Sequence, residues 1–172
     1  MPLSIDQRLA TERDICALKH NYLRACDAKD ADTFRASFVA SGGRLNYGPL
    51  GKTDPDGMAD IYRQIALAEH PEGGPVVLDM HHAFMPTITV IEPAEGAEPT
   101  HATGTWTLQF RQVDRFSGTE YLAAGEYRDV YVVEDGRWVM SECDFTVAWS
   151  IKRPLGDAEI EFDSSAFGAG AP

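Results

Sequence analysis

The 172-residue chain predicts an α+β domain in which N-terminal helices pack into a strongly curved antiparallel sheet, a cone that encloses a pocket. Three observations carry that expectation. Helical periodicity is confined to the N-terminal part, three long strand candidates follow without interruption, and turn residues join those strands as hairpins. Consecutive hairpins imply antiparallel pairing, and a strongly twisted sheet can fold around the helices that precede it. The length suits one domain and is enough to close a core around a cavity.

Each element has its own signal. Residues 5–27 place Ile15, Leu18, Tyr22 and Cys26 at three- and four-residue steps, with Arg13, Lys19 and Arg24 mostly elsewhere, the pattern of an amphipathic helix. Asp30 is the cap of a short second helix through Phe34 and Phe38, which Ser41, Gly42 and Gly43 end before a strand-like stretch at 44–47. Asp54 and Pro55 supply the N-cap and first turn of a third helix that carries Met58, Ile61, Tyr62, Ile65 and Leu67 and runs until His70 and Pro71. After a loop at 71–75 the period changes. Residues 76–85 and 87–91 read as strand, with a break at Pro86, which has no N–H for a ladder. A polar connection at 93–99 leads to strand candidates at 101–113, 121–133 and 137–149, joined by turns containing Ser117-Gly118 and Asp135-Gly136. Residues 1–152 are the expected domain, and residues 153–172, acidic and then small, are expected to form a partly flexible tail.

Composition removes several function classes. A formal net charge of -12 argues against the electropositive footprint that phosphate backbones demand, so nucleic acid is not an expected partner. No apolar run approaches membrane-spanning length, and the N-terminus lacks a basic start followed by an apolar segment; the expectation is a cytoplasmic protein without a membrane partner. Cys16, Cys26 and Cys143 form no CxxC pair and sit in apolar-rich segments, as small core residues do. There is no Gly-rich phosphate loop, GxSxG elbow or HExxH, so any chemistry must come from a scattered constellation.

Asp27 closes the first helix and reads either as a capping carboxylate or, given a partner, as a functional acid. His81 and His82 lie in a strand candidate, where alternation sends the two imidazoles to opposite faces and only one can enter a pocket. Neighbouring strand positions cannot chelate one metal, and His20, His70 and His101 show no ligand spacing, so no metal site is expected. Tyr22, Tyr47, Tyr62, Trp106 and Tyr127 combine apolar bodies with polar tips, suiting either a core or a cavity for a flat apolar ligand. Tyr47, Tyr62, Trp106, Tyr127 and Phe110 are the candidate substrate-binding residues.

Taken together, Ile15, Leu18, Tyr22 and Asp27, then Met80-His81-His82 before Pro86 and Ile88, then Gly125, Tyr127 and Asp129, then Asp135-Gly136 and Trp138 resemble the SnoaL-like branch of the NTF2-like superfamily. The resemblance spans roughly residues 10–150 and rests on order and spacing rather than on any single element. It implies a cone of curved sheet around helices with a hydrophobic pocket. Members include scytalone dehydratase, a bacterial bile-acid 7α-dehydratase, polyketide cyclases and a dehydrochlorinase, several of which use a pocket Asp and His as a dyad. The bile-acid dehydratase comparison puts its catalytic Tyr and Asp on Tyr22 and Asp27 and its His on His81, with His82 the alternate. One departure is Phe110, which stands where that enzyme has an acid.

The resemblance implies a cofactor-independent lyase or isomerase, a dehydratase or cyclase type, acting by Asp-His proton transfer on a hydrophobic cyclic, polyketide- or steroid-like molecule. The superfamily also holds non-catalytic binders and small subunits of ring-hydroxylating dioxygenases, so those remain alternatives. Curved sheets of this kind leave an apolar face uncovered, and a homodimer or homotrimer packed through it is expected.

Overall fold

The structure, a computed structural model, describes residues 3–48 and 51–163; the end of the expected tail lies outside the described residues. Helices α1 (Ile5–Ala28), α2 (Ala31–Ala36) and α3 (Pro55–Ala66) come with strands β1 (Arg44–Asn46), β2 (Lys52–Thr53), β3 (Val77–Val90), β4 (His101–Asp114), β5 (Thr119–Glu134) and β6 (Arg137–Pro154). The strands form one curved, unclosed sheet in the order β2-β1-β6-β5-β4-β3, and the helices pack into it as the expected α+β cone. No helix among the described residues is long and apolar enough to cross a membrane.

Local chemistry explains where the helices begin and end. Ser4 and Gln7 form a capping box at the start of α1, and Lys29 closes it in the left-handed region at φ 56°. Asp30 caps α2 by accepting the Thr33 N–H at 3.0 Å. That helix stops at Ala36 and does not reach Phe38. The Val39 N–H donates to Met140 O and the Met140 N–H to Ser37 O, which draws the chain out along β6. In α3, Asp54 accepts the Gly57 N–H at 2.7 Å and Pro55 takes the first turn. This helix ends at Ala66, short of the expected His70, and Leu67 at its cap points to solvent.

The buried stripe of α1 differs from the expected one. Ile15, Lys19, Tyr22 and Cys26 are buried at steps of four, three and four, whereas Leu18 is only partly buried. Lys19, expected among the outward residues, is therefore a core residue. Phe34 of α2 meets the Tyr62 ring edge-on at 4.8 Å and Phe38 at 5.3 Å, closing the aromatic core between α1, α2 and α3.

Bulges give the sheet its curvature. β3 runs through Pro86 without ending, because it is an edge strand whose missing donor costs no ladder bond. The register shifts by one residue between Phe84 and Thr87, and Met85 takes a positive φ there. Two further register shifts, at Ala124/Gly125 and Val130/Tyr131, bend β6 over β5. β1 pairs in parallel with β6, an arrangement that hairpin signals cannot announce, and two-residue β2 was not among the expected strands.

Gly125 sits at one of these bends. A Cβ there would lie 2.1 Å from Thr146 O, a backbone atom with no room to yield. Gly125→Ala is expected to lower stability by roughly 1–3 kcal/mol, the cost of overpacking. A leftward shift of the urea midpoint at unchanged slope measures it; an unmoved midpoint contradicts the account. On the outer face of the sheet, Met80, Phe84, Trp149 and Ile151 are exposed apolar side chains, as an uncovered sheet face predicts.

Candidate active site

A cavity of about 450 Å³ lies between the inner face of the sheet and the helices. Tyr22 reaches it from α1, Tyr47 from the residue after β1, and Met58, Tyr62 and Ile65 from α3. The sheet contributes alternate residues, as a period of two requires: Asp79 and His81 from β3, and Leu108, Phe110 and Gln112 from β4.

His81 enters this cavity, while His82 on the opposite face is exposed and stacks on Phe84 with ring centroids 6.1 Å apart. The last turn of α1 brings Asp27 to His81. Its Oδ1 is 2.5 Å from Nδ1, and the same carboxylate accepts the His81 backbone N–H at 3.1 and 3.3 Å. That N–H belongs to the free edge of the sheet, so the carboxylate satisfies an otherwise unpaired donor and holds the imidazole at once. Both side chains are about nine-tenths buried, 9% exposed for Asp27 and 11% for His81. An ionised carboxylate only accepts, so the hydrogen is assigned to Nδ1 and Nε2 keeps its lone pair. Phe110 faces the imidazole at 4.5 Å between ring centroids, placing an apolar wall where the resemblance puts an acid.

Beyond the dyad, Tyr22 and Tyr47 share a hydrogen bond of 2.6 Å between their hydroxyls. Beneath them lies a charge pair removed from solvent: Lys19 Nζ is 2.8 Å from Asp129 Oδ2, with both side chains 0% exposed. The ammonium also sits 3.6 Å from the centre of the Tyr127 ring and 4.5 Å from that of Tyr22. Tyr131 donates to Asp129 Oδ2 at 2.7 Å, and Trp106 Nε1 donates to the Tyr131 hydroxyl at 3.0 Å.

Burial pushes the phenols of Tyr22, Tyr47, Tyr127 and Tyr131 well above the ordinary tyrosine value. Burial likewise raises Cys143 well above its usual value and takes the Cys26 thiol up to about 11. The tyrosines therefore stay protonated donors through neutral pH. Their folded values exceed the unfolded one, so their contribution to stability is complete below about pH 10 and is lost as pH rises beyond it, where the unfolded chain ionises first. The melting temperature should fall steadily above about pH 10 together with the appearance of phenolate absorbance. Phenolate forming at any of these four residues in the still-folded protein at the ordinary tyrosine value contradicts this.

The structure thus brings together Tyr22, Tyr47, Tyr62, Phe110, Tyr127, Asp27 and His81 around one cavity. It does not bring Trp106 there. That indole is 1% exposed and packed in the core, committed to Tyr131 and edge-on to His20, so it is not a lining residue. Residues missed in the sequence include Lys19, Asp79 and Gln112. Asp79 carried a usable signal, since two positions before His81 is the same strand face. Among the described residues no three His, Cys, Asp or Glu side chains converge as a metal-ligand set.

Comparisons with known proteins agree with this architecture. The SnoaL-like domain matches residues 7–144 of the chain. No curated protein matches it at a significant level. Among solved structures, a candidate scytalone dehydratase of Novosphingobium aromaticivorans is similar with a TM-score of 0.70 at 20% identity, over 91% of this chain and 100% of that one. Hexachlorocyclohexane dehydrochlorinase LinA-type3 of Novosphingobium barchaimii aligns with a TM-score of 0.69 at 15% identity, over 93% of this chain and 100% of the other. A candidate aromatic ring hydroxylase of Novosphingobium aromaticivorans gives 0.65 at 14% identity, over 88% and 95%. At such identities the likeness is one of fold.

Proposed function

The chain belongs to the SnoaL-like domain family, and on that footing we propose that it is a cofactor-independent lyase or isomerase, of dehydratase or cyclase type, acting on a hydrophobic cyclic molecule. The observation that carries this reading is the buried Asp27–His81 contact opening on an aromatic cavity. A lone histidine on a strand needs no carboxylate. One held through Nδ1 by a buried carboxylate is oriented as a base.

In the proposed step His81 Nε2 removes a proton from the carbon beside a carbonyl, and the C–H electron pair moves onto the carbonyl oxygen as an enolate. Asp27 keeps Nδ1 protonated and stabilises the imidazolium. The Tyr22 hydroxyl lies 2.6 Å from that of Tyr47 and 3.7 Å from Cys143 Sγ; with Tyr22 donating to Tyr47, the Tyr47 hydroxyl hydrogen bonds the enolate or a leaving hydroxyl. Reprotonation at another carbon gives isomerisation. Expulsion of a β-hydroxyl, which takes up a proton and departs as water, gives dehydration.

The same aromatic cavity would suit a protein that binds without reacting. Deuterium exchange at the acidic benzylic carbon of 2-tetralone, followed by NMR in heavy water, separates the two. Acceleration over buffer that disappears in His81→Ala supports the enzyme. Saturable binding of the ketone with no exchange favours the binder.

A further inference from the structure

A line of polar atoms runs from the cavity wall into the core. Cys143 on β6 stands opposite Asp129 on β5 and beside Leu45 on β1. Two residues further on, Phe145 and Tyr47 line the cavity, and Cys143 lies behind them. Lys19, one turn before Tyr22 on α1, reaches the same thiol from the helix side. Lys19 is 0% exposed, and Cys143 and Tyr22 are 1% exposed each, so bulk solvent does not reach the line from behind.

The hydrogens along this line point one way. The Lys19 ammonium can only donate, and its Nζ lies 3.8 Å from Cys143 Sγ. The thiol lies 3.7 Å from the Tyr22 hydroxyl, which lies 2.6 Å from that of Tyr47. Both sulfur contacts are long because sulfur is a large, weak partner. With Tyr22 donating to Tyr47, the Tyr22 oxygen accepts the Cys143 S–H, and the Tyr47 hydrogen is left for the cavity. Asp129 Oδ2 already receives Lys19 and Tyr131, and no hydrogen bond reaches Oδ1, which leaves the thiol hydrogen to Tyr22. Burial, and then the Asp129 charge, raise the thiol well above its usual value, so it holds that hydrogen at neutral pH.

We propose that Cys143 relays a proton from Lys19, through Tyr22 and Tyr47, to the hydroxyl expelled in the dehydration, so that His81 takes the proton of the carbon and this chain supplies that of the oxygen. The inference rests on the reaction proposed above. As the C–O bond breaks with its electron pair on oxygen, the Tyr47 proton passes to that oxygen and water forms. Tyr47 takes the proton of Tyr22, Tyr22 that of Cys143, and Cys143 one from the Lys19 ammonium, which becomes a neutral amine. Charge is conserved, because His81 becomes an imidazolium in the same turnover. After product leaves, solvent in the cavity removes the imidazolium proton and returns one to Lys19 through the same chain in reverse. Cys143 and Lys19 act through the tyrosines and touch no substrate.

The test compares two leaving groups on the full chain at saturating ketone. The hydroxyl of 4-hydroxy-2-tetralone must be protonated to leave, whereas acetate departs from 4-acetoxy-2-tetralone as an anion. Both yield 2-naphthol, whose fluorescence is followed above the buffer rate. In Cys143→Ala the ratio of hydroxyl to acetate expulsion is expected to fall about a hundredfold, the lower end of what a positioned acid contributes. Lys19→Met with Asp129→Leu, which removes the source of the proton, should lower the same ratio. In mixtures of light and heavy water the wild-type rate of hydroxyl expulsion should curve with deuterium content, as several moving protons require, and curve less in Cys143→Ala. Cys143→Val, which keeps the bulk without the S–H, replaces the alanine variant if that one melts early. A cysteine that only supports the fold slows both expulsions alike. An unchanged ratio in the folded variants, or a straight line in the wild type, overturns the relay and leaves proton abstraction standing as long as 2-tetralone exchanges. A wild type that exchanges 2-tetralone but expels no hydroxyl also overturns the relay alone, and one that does neither overturns both.

Discussion

Deuterium exchange into 2-tetralone is expected to fall about a hundredfold to ten-thousandfold in His81→Ala, the range a positioned base contributes. Asp27→Asn should fall within the same range for a different reason. The carboxylate of Asp27 only accepts, which assigns the hydrogen to Nδ1 and keeps Nε2 basic. An asparagine amide can instead donate to Nδ1, and the imidazole then carries its hydrogen on Nε2, the nitrogen that must receive the proton. The geometry survives and the tautomer is wrong. Because the two residues act as one unit, the double variant should be no slower than the slower single variant. Melting curves decide whether the fold is intact. A folded double variant that exchanges at the wild-type rate removes both residues from the reaction.

Much of this site was legible in the sequence because it obeys short periods. The α1 stripe placed Tyr22 inward, strand alternation separated His81 from His82, and Asp30 and Asp54 announced their helices by capping chemistry. What was not legible depends on tertiary partners. Lys19 sits on the buried stripe at i+4 from Ile15, but a lysine reads as outward until Asp129, far along the chain, is seen to meet it. Trp106 reads as a cavity aromatic until Tyr131 is found across the sheet as its hydrogen-bond partner. Phe38 fits the helical spacing, and only the pairing of its neighbours with Met140 shows why the helix ends before it. The contact between Asp27 and His81 also joins elements remote in sequence; the family resemblance suggested the pair, and residue spacing did not.

The Lys19–Asp129 pair has the larger consequence for stability. Two charges withdrawn fully from solvent lose hydration that their mutual attraction repays only while both are present. Lys19→Met keeps the length of the side chain but leaves Asp129 with the Tyr131 hydroxyl as its remaining strong donor, since Asp129 Oδ1 has no hydrogen-bond partner. The expected loss is about 3–5 kcal/mol, a fall in melting temperature of roughly 10 °C for a domain of this size. Replacing both charges, in Lys19→Met with Asp129→Leu, should restore most of that loss, because an apolar pair of similar volume carries no desolvation penalty. The pair also underlies the cavity floor, with the ammonium against the Tyr127 and Tyr22 rings. The single variant should therefore weaken 2-tetralone binding along with the fold, and the double variant should recover stability ahead of affinity. Urea unfolding and calorimetry on the two variants measure both quantities. A Lys19→Met protein within about 1 kcal/mol of the wild type overturns this account of the pair.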